Sequence, residues 1–305
     1  MRIFLTGATG YVGAAVLESL VRQGHEVTAL VRNKEKAKRV ARRGAHAVVG
    51  DLKQPDSFQA DLDGQDGYVH AAYDSRSGPA VERSALEIML KAATRPLTVG
   101  GPPAAKRFFI YTSAVWILGR SPEPAAEDAP INPIEHAAWR PAHEQLVLGA
   151  SSDTLRTAVV RPGVLYGGGT GMVGDLFAAA SNGLVRVVGD GNNRWPLVYD
   201  RDLADLYARL VVREDGTGIF HANDEGDERV NDLVTAIRKH LPVKLAVRHV
   251  PLDEARQKMG PYAEALALDQ VVRSPRARAL GWTPSLHSVA GNALRLLDEW
   301  RAARN

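Results

Sequence analysis

Thr6-Gly7-Ala8-Thr9-Gly10-Tyr11-Val12-Gly13 stands between an apolar run, Ile3 to Leu5, and a stretch from Ala14 to Val21 whose apolar residues recur every three or four positions. The run reads as a buried strand, and the recurrence is that of an amphipathic helix. The glycines therefore join a strand to a helix with the spacing G-x-x-G-x-x-G. Gly7 permits the tight turn, Gly10 lets backbone N–H groups approach a ligand, and Gly13 allows the helix to pack closely on the strand. The first N–H groups of a helix lack intrahelical partners and sit at the positive end of its dipole, so this turn faces phosphate. A second strand, Glu26 to Val31, follows one helix later, the context in which such a turn denotes dinucleotide binding.

Outward from that turn, strands and helices alternate. Expected strands are Arg2 to Thr6, Glu26 to Val31, Ala47 to Gly50, Gly67 to Ala71, Arg107 to Thr112 and Arg156 to Arg161. Tyr11 to Gln23, Lys34 to Arg43, Val81 to Ala93 and Pro141 to Ala150 read as helices between them. The pattern implies an α/β fold, a Rossmann-type doubly wound parallel sheet with helices on both faces. Residues 1–165 read as the dinucleotide-binding domain, with 198–223 returning to it as a helix and a strand. Residues 166–197 and 224–305 read as a smaller C-terminal substrate lobe, entered through a glycine-rich loop from Gly163 to Gly174. Ligands of such sheets bind at the carboxyl ends of the strands.

Composition narrows the chemistry. The 305 residues contain no cysteine, which excludes disulfides, thiolate nucleophiles and cysteine-ligated metals, and fits a cytoplasmic location. The start of the chain shows no cleavable signal pattern, and no apolar stretch has the length of a membrane span. A net charge of +3 is modest for this length, and the one basic cluster, Lys34 to Arg43, reads as a solvated helix face. The histidines show no metal-ligand spacing. Expected partners are a small-molecule substrate and, in a homodimer, a second copy of the chain, with no nucleic acid, membrane or metal.

The second strand indicates which dinucleotide. Sites that prefer NAD(H) carry an acidic residue at its end to bind the ribose 2′-hydroxyl. Here the strand ends Ala29-Leu30-Val31-Arg32-Asn33, with Lys34, Lys36 and Lys38 following. The planar guanidinium of Arg32 suits a 2′-phosphate, so NADP(H) is expected over NAD(H). The third strand ends Gly50-Asp51-Leu52, placing Asp51 to accept from the adenine amino group.

Taken together, the motifs resemble the extended short-chain dehydrogenase/reductase family, which includes NAD(P)-dependent nucleotide-sugar epimerases and dehydratases. Besides Thr6 to Gly13 and Gly50-Asp51-Leu52, they are His70-Ala71-Ala72, Tyr111-Thr112-Ser113-Ala114-Val115-Trp116 with Gly119, and Arg161-Pro162-Gly163-Val164-Leu165-Tyr166-Gly167. Val198-Tyr199-Asp200-Arg201-Asp202-Leu203-Ala204 and Leu280-Gly281-Trp282-Thr283-Pro284 extend the resemblance over nearly the whole chain. It implies a cofactor held by Gly7, Thr9, Gly10, Tyr11, Val12, Gly13, Arg32, Asp51, Leu52, Ala71, Ala72, Thr112, Arg140, Pro162 and Val164. It also implies a Tyr-x-x-x-Lys pair, and here the chain departs from the family. The corresponding segment reads Pro133-Ile134-Glu135-His136-Ala137-Ala138-Trp139-Arg140-Pro141-Ala142-His143-Glu144-Gln145. One register puts His136 and Arg140 in the two places; the other puts Trp139 and His143 there. Pro141 favours a helix that begins at Pro141 itself, leaving His136 and Trp139 on the preceding loop.

Hydride transfer to a carbonyl needs hydrogen-bond donors on the developing oxyanion and a proton source. Ser113 stands in the place of the family's active-site serine. His143 and His136 are proton-donor candidates because imidazole titrates near neutrality, and Tyr73 and Tyr166 because they sit at strand ends facing the site. Arg140 does not titrate near neutral pH, and its expected role is to reach the cofactor ribose or a substrate phosphate instead. The first expectation is an NADP-dependent oxidoreductase reducing a small carbonyl or related unsaturated substrate with a non-standard proton donor. The alternatives are a redox-neutral nucleotide-sugar epimerase or dehydratase and a non-catalytic NADP-binding sensor.

Overall fold

The computed structural model describes residues 1–74, 76–95, 106–242 and 244–304. Seven strands form one parallel sheet: β1 (Arg2–Thr6), β2 (Glu26–Val31), β3 (His46–Val49), β4 (Gly67–His70), β5 (Arg107–Thr112), β6 (Leu155–Pro162) and β7 (Gly218–Ala222). Their order is β7-β6-β5-β4-β1-β2-β3. The chain thus builds outward from β1 to β3, then crosses back over β1 to add the other four. Ile3, Phe4 and Leu5 are fully buried, as are Phe109, Ile110 and Tyr111, so the central strands are apolar on both faces. This is the doubly wound α/β fold that the alternation of elements implies.

The chain divides into two compact units. The first comprises Met1–Ser113, Trp139–Val160 and Leu203–Phe220. Its helices are α1 (Tyr11–Arg22), α2 (Lys34–Ala41), α3 (Gly78–Thr94), α4 (Arg140–Gly149) and the greater part of α5 (Asp200–Val212). The Asn33 side chain caps α2 by accepting the N–H of Lys36 at 2.9 Å. Two buried arginines close helix C-termini. Arg107 donates to the carbonyls of Ala92 and Ala93 in the last turn of α3 and of Arg95 just after it. Arg156 donates to those of Leu210, at 2.6 Å, and Val211 in α5, with its guanidinium 4.9 Å from the Phe108 ring. Arg156→Met keeps the apolar stem and strands both carbonyls. We expect a loss of about 2–4 kcal/mol, measured as a lowered midpoint in chemical denaturation.

The second unit comprises Ala114–Ala138, Arg161–Asp202 and His221–Asn305. Three two-strand parallel ladders frame it: Val164–Tyr166 with Leu197–Tyr199, Leu184–Val188 with Ala246–Val250, and Ser121–Ala125 with Gln270–Val272. Helices Gly171–Ser181, Val230–Arg238 and Ala293–Ala302 enclose a core that includes Phe177, Trp195, Leu233, Leu297 and Trp300. Asp202 ties a distant turn to this unit, accepting from the Ser285 hydroxyl and from the N–H groups of Ser285 and Leu286.

Three expectations are corrected. Residues 114–138, expected inside 1–165, belong to the second unit, because Ser121–Ala125 pairs with Gln270–Val272 and Val115, Ile117 and Leu118 pack with Val272. The segment returning to the first unit is Leu203–Phe220, shorter than 198–223. The stretch from Gly163 to Gly174 is not a loop throughout: Val164–Tyr166 pairs as a strand, and a helix begins at Gly171.

Candidate functional site

Where the order of the sheet reverses, the loops leaving β1 and β4 part and open a crevice at the carboxyl ends of the strands. A cavity of about 510 Å³ lies here, within the size range of small-molecule sites. Its wall comes from Thr6 at the end of β1 with Gly7 and Thr9 to Val12 after it, Leu30 to Arg32 with Lys36 at β2, Gly50 to Leu52 after β3, and Ala71 to Asp74 after β4. Ser77, Gly78, Val81 and Glu82 at the start of α3 complete it. All these residues belong to the first unit.

The glycine turn fits a dinucleotide. Gly7 has φ of 79°, and its carbonyl accepts the Gly10 N–H at 2.8 Å. A Cβ on Gly7 would strike the backbone of Ala71 and Ala72, and one on Gly13 would strike the backbone of Gly7. Helix α1 has no side-chain cap and no acidic residue in its first turn, so an anion meets the positive dipole end without a competing carboxylate. Thr6 ties the two parting loops together: its hydroxyl lies 2.9 Å from His70 Nδ1 and accepts the Ala72 N–H at 3.3 Å.

At the other end of the cavity stand Arg32 and Lys36. Arg32 donates to Asp74 at 3.3 Å. Partial burial and the nearby Arg32 and Arg39 charges hold the Lys36 ammonium below its ordinary pKa, as expected of crowded cations. Asp51 lines the same wall, and one of its carboxylate oxygens accepts the Lys53 N–H at 3.0 Å.

The remaining expected residues divide. Tyr73 lines the cavity at 48% exposure and stacks on Trp139 with centroids 5.8 Å apart. The buried Arg140 guanidinium lies 5.4 Å from the Tyr73 ring and 4.4 Å from that of Trp139, and donates to the Thr112 carbonyl at 3.2 Å. Burial raises the Tyr73 phenol, with Arg140 opposing. Helix α4 starts at Arg140 rather than Pro141, and proline is tolerated there in the first turn. Ser113 is 3% exposed, and its Oγ has no hydrogen-bond partner among the described residues. His143 is buried, and burial followed by Arg83 and Arg140 pulls its imidazole down to about 4, so it is neutral at pH 7.

Gly13, Thr112, Ser113, Arg140 and His143 belong to the first unit but do not line the cavity. Three others lie in the second unit. There His136 meets Trp116 and Tyr262 edge-on, Val164 is buried in the core, and Pro162 ends β6. Glu82 and Asp74 line the cavity although the motifs did not point to them. Glu82 carries a legible signal: it falls on the same face of α3 as Ala85, Leu86, Met89 and Leu90, where a charge is out of place. Among the described residues no group of acidic or histidine side chains could hold a metal, and no helix is long and apolar enough to cross a membrane.

With this geometry in place, the profile of the NAD dependent epimerase/dehydratase family matches residues 3–221. The chain belongs to that family. An uncharacterized protein of Schizosaccharomyces pombe is 29% identical to this family member over 295 residues, covering 95% of this chain and 96% of its own. A 2-alkyl-3-oxoalkanoate reductase of Stenotrophomonas maltophilia is 29% identical over 262 residues, 78% of this chain and 76% of its own. Among solved structures, a human epimerase family protein with NADPH shares the fold at a TM-score of 0.77 and 20% identity, covering 98% of this chain and 99% of its own.

Proposed function

We propose that this family member is an NADP-dependent oxidoreductase that reduces a small carbonyl or related unsaturated substrate. The observation that carries the reading is the wall beyond β2, where Arg32 and Lys36 face the same cavity as the glycine turn and β2 ends in no carboxylate. Two cations held together favour the dianionic 2′-phosphate over a neutral hydroxyl. Reduction is supported by the activity named for the Stenotrophomonas maltophilia relative.

NADPH, when bound, supplies the hydride. The protein's part is to hold and protonate. The turn at Gly7 to Val12 receives the pyrophosphate, and Arg32 with Lys36 the 2′-phosphate. Tyr73 is the proposed acid: among Ser113, His136, His143, Tyr73 and Tyr166 it alone lines the cavity, and a buried guanidinium lies beside its ring to stabilise the phenolate left behind. His143 is already neutral at pH 7 and has no imidazolium proton to give.

Fluorescence titration with NADPH and NADH tests the assignment. NADPH is expected to bind more tightly. Because the Arg32 side chain is 58% exposed, Arg32→Ala should weaken NADPH at the lower end of the range for a charged hydrogen bond, about tenfold, and NADH by less than about twofold. Tighter binding of NADH, or an unchanged NADPH affinity in the variant, would overturn the preference.

A further inference from the structure

Glu82 sits where the inward face of α3 meets the cavity wall. It is 6% exposed. The Tyr111 hydroxyl donates to its Oε1 at 2.8 Å, and His143 Nδ1 lies 4.0 Å from the same oxygen. Around it, α3 contributes Arg83 and Glu87, which pair with each other at 2.9 Å. From α4 come Arg140 and Glu144, and from β4 and the loop after it His70, Tyr73 and Asp74.

His70, His143 and Tyr111 keep a fixed charge near neutrality. Burial and neighbouring positive groups hold His70 at about 3 and His143 at about 4. Burial and the Glu82 charge keep the Tyr111 phenol far above its ordinary range, so it remains a donor. Arg140 is the cation that opposes burial at Glu82, and the balance leaves the carboxyl at about 7. Beside His70, His143 and Tyr111, Glu82 is therefore the group whose charge changes between pH 6 and 8.

A dinucleotide phosphate brings a charged pyrophosphate and roughly 1.5–2 further negative charges on its 2′-phosphate into the cavity that Glu82 lines. We propose that Glu82 is the proton-carrying residue of the cofactor cavity: the anionic dinucleotide binds with this carboxyl protonated, so cofactor captured above neutral pH brings a proton in with it. This rests on the cavity being the dinucleotide site. The sign follows from like-charge repulsion, which disfavours the carboxylate in the complex and raises its pKa on binding. Above the free-protein pKa the unliganded carboxyl is ionised while the complex keeps its proton, so affinity falls as pH rises. Well below it both states are protonated, and the dependence vanishes.

Calorimetric titration of the full chain with NADPH at pH 8, in two buffers of different ionisation enthalpy, measures the proton directly. The wild type should take up about half a proton or more per NADPH and lose up to about tenfold in affinity per pH unit above neutrality. Glu82→Gln keeps an acceptor for Tyr111 and should abolish that part of the uptake and flatten the affinity. NADH, titrated in parallel, removes the 2′-phosphate's own protonation and should retain the Glu82 contribution. Tyr111→Phe deletes a bond that favours the carboxylate and should move the wild-type midpoint upward, a check that survives if Glu82→Gln does not fold. Equal proton uptake in wild type and Glu82→Gln, or an unmoved midpoint in Tyr111→Phe, would overturn the linkage alone. A folded wild type that binds neither NADPH nor NADH at any pH would overturn the cavity assignment and the linkage together.

Discussion

Tyr73→Phe is expected to slow carbonyl reduction by roughly 10²-fold or more while leaving NADPH affinity within about twofold. Phenylalanine preserves the stack on Trp139 and the ring that faces Arg140, so what is removed is the hydroxyl. The loss should fall on kcat, because the hydroxyl's proton is transferred only as charge develops on the carbonyl oxygen. Arg140→Gln should act in the same direction, since it takes away the cation beside the Tyr73 ring, and it should move the alkaline limb of the rate upward. Steady-state kinetics over pH 6–10 on a panel of small carbonyls would check both. A Tyr73→Phe enzyme with full kcat would assign the proton to solvent or substrate.

The same segment shows how far local sequence carries such a reading. The turn at Gly7 to Gly13 was legible because each glycine answers a local demand: a positive φ at Gly7 and a close approach at Gly13, both tied to a strand and a helix a few residues away. Arg32 was legible for a similar reason, since the end of β2 is a fixed distance past the turn. Other parts of the site were set by partners far off in the chain. Ser121–Ala125 contains two prolines, which disfavour a strand, yet it becomes one by pairing with Gln270–Val272. Nothing in the local pattern marks that partner. Arg140 stands in the helix despite the proline after it, in a setting where its guanidinium lies beside the Tyr73 and Trp139 rings and is bonded to Thr112. That packing depends on loops some thirty and seventy residues away in sequence. Glu82 shows a third case. It falls inside the expected helix on the face of Ala85, Leu86, Met89 and Leu90, so its place was legible from the helical period although no motif drew attention to it.

Gly13→Val should abolish measurable NADPH binding, with a loss beyond about a hundredfold, and lower the thermal midpoint by about 3–8 °C. A Cβ at this position meets the carbonyl carbon and oxygen of Gly7 and the amide nitrogen of Ala8, at 3.0 Å for the last. These are backbone atoms of the turn itself, so relief requires α1 to draw away from β1 and carries the phosphate-facing helix end with it. Gly7→Ala should behave alike for a second reason. Its φ of 79° is unfavourable for any side chain, and its Cβ would lie 2.6 Å from the Ala72 amide nitrogen. Gly24→Ala separates the two causes. Gly24 follows the end of α1 with φ of 80°, and a Cβ there has no neighbour within 4 Å. It should cost the conformational penalty alone, about 1–2 kcal/mol, with NADPH affinity unchanged. If Gly24→Ala weakened NADPH as much as Gly13→Val, the loss would come from destabilising α1 in general, and the cradle formed by Gly7 and Gly13 would have no specific part in holding the phosphates.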